Sequence, residues 1–128
     1  MSSSKIFFLS VAEIIAIHKD QISSYGGKLG IRDQNLLESA AFAPQTSLHN
    51  KFVHKSLYAM AAAYAYHLIK NHPFFDGNKR TGMASMLVFL DLNEIAVTLT
   101  VGQIVEVGVL IAIDRISREE LAKILQGK

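Results

Sequence analysis

Apolar residues recur at helical spacing through most of the chain, and local stop and start signals cut that pattern into segments. Ser10 and Glu13 stand three apart, a capping box, so a helix is predicted from Val11. Val11, Ile14, Ile15 and Ile17/His18 give it one apolar face. It runs out before Tyr25-Gly26-Gly27, where the glycines admit positive φ. After a short loop ending at Gly30, Asp33 is the expected N-cap of a helix through Leu36, Leu37, Ala40 and Ala41, closed by Pro44. Gln45–His54 is polar and mixed, and reads as a loop or a short helix. Lys55 to about Lys70 is alanine-rich and apolar nearly all round, the mark of a central helix with neighbours on several sides. Asn71-His72-Pro73 stops it, because a residue before proline avoids the α region.

The loop His72–Asn78 is followed by a second apolar helix, about Lys79 to Leu92, with Asn93 as its stop. Ile95–Thr100 is β-branched and allows at most one short strand. Gln103–Ile113 reads as a further buried helix, and Ser117 with Glu120 opens a last one to about Gln126. There is no internal repeat and no domain linker. The expected fold is a single all-α domain over residues 1–128, a compact bundle of five or six helices with room for one short β element.

Composition narrows the function. A chain of 128 residues, half of them apolar and 19% charged, buries a proper core without staples. The absence of cysteine excludes disulfides, thiolate metal sites and catalytic thiols. A net charge of +2 gives little support for direct DNA binding. The apolar stretches around Met60–Ile69 and Val107–Ile113 are short of the roughly 20 residues a membrane span requires. The run Ile6–Leu9 is too brief for a signal peptide, so the expected compartment is the cytoplasm.

One segment concentrates chemistry: His72-Pro73-Phe74-Phe75-Asp76-Gly77-Asn78-Lys79-Arg80-Thr81. It joins two core helices, and the paired phenylalanines would pin it down. The start of the second helix offers free N–H groups and the positive end of the dipole to an anion. Gly77 allows close backbone approach, and Asn78, Lys79 and Arg80 can donate to phosphate oxygens. Asp76, the only acid there, suits Mg²⁺ held jointly with a polyphosphate. His72 titrates near neutrality and can take a proton from a hydroxyl. Together the parts describe transfer of a phosphorus group from a nucleotide to a hydroxyl.

Other residues read more simply. His18, His49, His54 and His67 are expected to be structural, and Tyr58, Tyr64 and Tyr66 to be packing groups. Arg32-Asp33 is either a rim of the site or an N-cap with a neighbouring cation; Thr81 either caps a helix or touches nucleotide. Lys70 and Asn71 adjoin His72 and are secondary candidates for phosphate contact. Arg115, Arg118 and Lys123 read as a solvated helix face.

The pattern His-x-Phe-x-Asp-Gly-Asn-Lys-Arg, His72 to Arg80, resembles the signature of the Fic/Doc superfamily. Arg80-Thr81, Leu87-Val88-Phe89-Leu90-Asp91-Leu92-Asn93, Gly30-Ile31-Arg32-Asp33, Leu36-Leu37-Glu38-Ser39-Ala40 with Pro44, His18 and Tyr25-Gly26-Gly27 are similar to the Doc (death on curing) branch. The resemblance implies a Fic-type helical bundle with the signature loop between two central helices. It implies His72 as general base, Asp76 as the Mg²⁺-linked carboxylate, and Asn78, Lys79 and Arg80 as the phosphate-binding group; Gly77 and Thr81 stand beside them as candidate nucleotide contacts. Fic enzymes transfer AMP from ATP to a protein hydroxyl. Doc toxins act as kinases on a threonine of elongation factor Tu, halting translation, and pair with a small antitoxin whose disordered C-terminal segment folds on the toxin. The AMP-transferring pattern has Gly at the place of Lys79 and a second Arg at the place of Met83, so the implied activity is the Doc one, with ATP and Mg²⁺. Gly82, commonly Ala in Doc chains, has no functional account at this level.

Overall fold

The computed structural model describes residues 5–128. Among them are six α-helices: α1 (Val11–Tyr25), α2 (Gln34–Phe42), α3 (Leu57–Asn71), α4 (Asn78–Leu92), α5 (Val101–Ala112) and α6 (Arg118–Gln126). A 3₁₀ turn, Ala43–Gln45, prolongs α2 and carries Pro44. The all-α bundle expected from the periodicity is the one observed.

Side-chain caps set most boundaries. Ser10 and Glu13 form the predicted capping box, as do Ser117 and Glu120. Asp33 accepts from the Leu36 amide at 3.0 Å. Ser56 caps α3 through the Ala59 amide, so that helix starts at Leu57. Helix α5 begins at Val101, ahead of the expected Gln103, because Thr100 and Gln103 make a further capping box.

Helix α3 is central. It packs on α2, α4, α5 and α6, and Met60 through Ala65, Leu68 and Ile69 are buried. Its alanines let α4 come close. At Gly82 an added Cβ would lie 2.9 Å from Ile69 Cγ1 and 3.1 Å from the Ala65 carbonyl, so this crossing admits only glycine without a shift. That supplies a packing reason for Gly82. Tyr64, fully buried, tethers the segment before α1 by accepting from the Leu9 amide at 2.8 Å.

Two sequence expectations are corrected. Ile95–Thr100, read as one short strand at most, forms none. It has Ile95, Val97 and Leu99 half-buried and their neighbours exposed, but no strand among the described residues pairs with it. The β element lies instead in the polar segment 45–54: β1 (Ser47–Leu48) pairs antiparallel with β2 (Lys51–Phe52). His49 and Asn50, with φ of 52° and 62°, make the tight turn; two consecutive positive φ values are what such a hairpin requires, and asparagine tolerates them. Helix α5, expected to be buried, is so only along Val107, Gly108 and Ile111, while Val101, Val105, Val109 and Ile113 are exposed. No described helix is long and apolar enough to cross a membrane.

Candidate active site

The connector from α3 to α4 is held rigid from several directions. His72 ends α3 in the left-handed conformation, φ 53° and ψ 53°. The Arg32 guanidinium donates to the carbonyls of His72 (2.6 Å) and Asn71 (2.9 Å), satisfying acceptors that a helix end leaves open. Pro73 O accepts from the amides of Arg32 and Asp33, and the Phe75 amide donates to Gly30 O. Asp33 caps α2. The pair Arg32-Asp33 therefore braces the connector rather than forming a rim.

Phe74 is buried at the base of the turn, with the His18 ring stacked on it at 3.8 Å and 4°. The Asn78 side chain accepts from the Phe74 amide (3.0 Å) and donates to its carbonyl (2.9 Å). This corrects one sequence expectation: the Asn78 side-chain amide is spent on the loop and is not left to donate to a phosphate. Gly77, φ 75°, opens α4 with no side-chain cap, so the first-turn N–H groups of Asn78, Lys79 and Arg80 are free for an anion.

Asp76 is exposed, and its carboxylate is held on both oxygens. Oδ2 accepts from the Lys28 amide at 3.1 Å and Oδ1 from the Gly77 amide at 2.8 Å. Those two bonds, Lys28 first, hold its pKa below the usual carboxylate value, with Arg80 and His18 adding to the effect. Gly27 is the point of closest approach. At φ 123° an added Cβ would sit 2.6 Å from Asp76 Oδ2.

His72, Asp76, Gly77, Asn78, Lys79 and Arg80 line one cleft of about 600 Å³, with Ile69, Lys70, Phe75 and Ala112. Lys79 is exposed. Arg80, which lines the cleft, donates to Gly26 O at 2.9 Å and lies over the Tyr25 ring. Lys70 reaches the cleft but pairs with Asp114. Thr81 is the second correction: it is fully buried, lines no part of the cleft, and its hydroxyl has no hydrogen-bond partner among the described residues. Met83 is also buried, packed against Gly108 of α5.

Four residues outside the signature segment, His18, Gly27, Lys28 and Arg32, build its support. Sequence reasoning gave His18 a structural role, offered Arg32 as a rim or a neighbour of the N-cap, and passed over Lys28, while the resemblance alone singled out Gly27. His54 and His67 line a separate cavity with Arg118, and His49 lies in the hairpin turn.

Sequence comparison places this helical bundle in a known family. A profile described as Fic/DOC family matches residues 8–90. The chain belongs to that family. Among curated relatives, a protein named Toxin Doc from Mycolicibacterium smegmatis is 39% identical over 70 residues, which are 55% of this chain and 54% of that protein. The match thus spans about half the length of that relative. A protein named Protein kinase doc from Escherichia phage P1 is 34% identical over 89 residues, 70% of each chain.

Proposed function

We propose that this chain is a toxin of a toxin-antitoxin pair that transfers the γ-phosphoryl group of ATP to a protein hydroxyl, with a threonine of elongation factor Tu as target and arrest of translation in the cytoplasm as result. The observation that carries the reading is the uncapped start of α4 inside a braced turn, with His72, Lys79 and Arg80 lining the same cleft. The names of the two relatives support it, one as a toxin and one as a protein kinase.

In this reading the free amides of α4 and the two cations bind the phosphates, and the turn costs no reorganisation because it is already tied. The target hydroxyl oxygen bonds to the γ-phosphorus, the bond to the bridging oxygen of the departing ADP breaks, and His72 receives the hydroxyl proton. The Asp76 carboxylate, kept ionised by its amide contacts, retains lone pairs for Mg²⁺. Bound there, the ion would neutralise phosphate charge. Among the described residues no three acidic or imidazole groups cluster, so its remaining ligands would be phosphate and water.

In this reading the antitoxin's segment takes an apolar groove on the toxin. A largely apolar groove of about 410 Å³ runs beside Arg80 between α4 and α5, lined by Met83, Leu87, Val101, Ile104, Val105 and Val109 among others. It suits an amphipathic segment that folds as it binds.

Incubation with elongation factor Tu and ATP labelled at the α or the γ position tests the reading. Transfer of γ label is expected. Transfer of α label overturns it in favour of AMP transfer, a reading that Lys79 and Met83 already disfavour. Growth arrest that survives His72→Ala would instead mark a binding module without catalysis.

A further inference from the structure

We infer that His18, on α1, is a positioning residue that locks one peptide plane of the anion-binding turn and, through it, the Asp76 carboxylate. The inference rests on the phosphate-binding reading of the cleft.

The buried stripe of α1 is Ile14, His18 and Ile22. An imidazole 2% exposed in an aliphatic stripe costs free energy unless its polar atoms are used. Its Nε2 lies 2.8 Å from the Asp76 carbonyl oxygen. A carbonyl only accepts, so Nε2 carries the hydrogen and donates. The ring is further fixed by lying flat on Phe74.

The consequence follows from peptide geometry. In a trans peptide the C=O and the next N–H point in opposite directions. With the Asp76 carbonyl drawn back to α1, the Gly77 N–H must face the other way, and there it meets Asp76 Oδ1 at 2.8 Å. Glycine at the second position makes this plane free to flip, since Gly77 can take either sign of φ. A flipped plane would aim a carbonyl oxygen at the phosphates and release the carboxylate. The glycine that permits close approach therefore needs an external pin, and His18 is the side chain in place to supply it.

The test compares three variants of the full-length protein. His18→Phe keeps a flat ring on Phe74 and removes the donor, His18→Met is a second donor-free variant should the first misfold, and His18→Gln restores an N–H near the position of Nε2. The readouts are amide hydrogen exchange at Gly77, binding of MgATP, and Tm. Expected for the donor-free variant are faster exchange at Gly77 and weaker MgATP binding, each by about tenfold, with Tm nearly kept and with most of both effects reversed in His18→Gln. Exchange at Gly77 unchanged in a folded donor-free variant, or no recovery in His18→Gln, overturns the inference. A wild-type protein that binds no MgATP while Gly77 exchange responds as expected overturns the phosphate reading and leaves the locked peptide standing.

Discussion

Helix α3 is entered and left by two polar connectors of opposite construction. The entering one, residues 46–56, is almost wholly exposed and organised by its own backbone: a two-residue ladder, a tight turn at His49-Asn50, and a hydrogen bond from the Val53 amide to Thr46 O. The leaving one, residues 72–77, is organised by residues far away in sequence. His18, Lys28, Gly30, Arg32 and Asp33 all bond to it. The difference teaches where chemistry can be placed. A turn held by local bonds shifts as a unit with little resistance, whereas a turn tied to three other segments keeps donors and carboxylate in fixed relation, as electrostatic catalysis requires.

The largest break in that comparison is chemical. His72→Ala, at an exposed helix end, is expected to lower phosphoryl transfer about 10²- to 10⁴-fold, the span of a lost general base, while Tm is unchanged. Rate assays beside a thermal melt decide it, and an unaltered rate removes His72 from the reaction.

Next comes the brace. Asn78→Ala leaves the Phe74 amide and carbonyl without their partners in a buried place and is expected to cost about 2–3 kcal/mol in denaturant unfolding, with nucleotide binding weakened as well. The corresponding change in the entering connector, Asn50→Ala, should cost only about 1 kcal/mol, the penalty of alanine at positive φ, because the hairpin is exposed and no buried group loses a partner.

Charge sharpens the contrast between the two regions. Arg80→Ala should weaken nucleotide binding about tenfold or more, and Arg118→Ala should not, since only Arg80 lines the cleft. Isothermal titration with a non-hydrolysable nucleotide measures both, and equal effects refute the placement.

A smaller effect belongs to the cavity beside the entering connector. There Arg118 donates to His67 Nε2 at 3.0 Å, and burial first, then Arg118 and His54, hold His67 down at about 4 from its ordinary 6.5. Between those values the unfolded chain binds the proton and the folded chain does not. Stability therefore falls as pH drops from about 6.5 to about 4, and His67→Gln should flatten that part of a Tm-against-pH curve.

Helix boundaries and the signature segment were legible because their causes are local. Ser10-Glu13, Asp33 and Ser117-Glu120 cap helices with partners three residues away, and the periodicity of Leu36 to Ala41 or Met60 to Ile69 needs no tertiary information. The hairpin was not legible, since Gln45–His54 lacks alternation and its turn residues are the less common His-Asn. Ile95–Thr100 does have β-branched character, but a strand also requires a partner edge, and none of the described residues supplies one.

By itself, then, the amino-acid order determined an all-α bundle of five or six helices, a core around the alanine-rich one, and a ten-residue stretch from His72 to Thr81 dense in polar and charged groups. Tertiary structure decided which of those groups face the cleft. It turned Thr81 into the core, spent Asn78 on Phe74, and brought His18, Lys28 and Arg32 to the turn from 58, 48 and 40 positions away. The physical reason is range. Capping and helical periodicity are satisfied within a turn or two of chain, but a hydrogen bond that fixes a loop takes whatever partner the packed helices bring within about 3 Å, and that proximity exists only after folding.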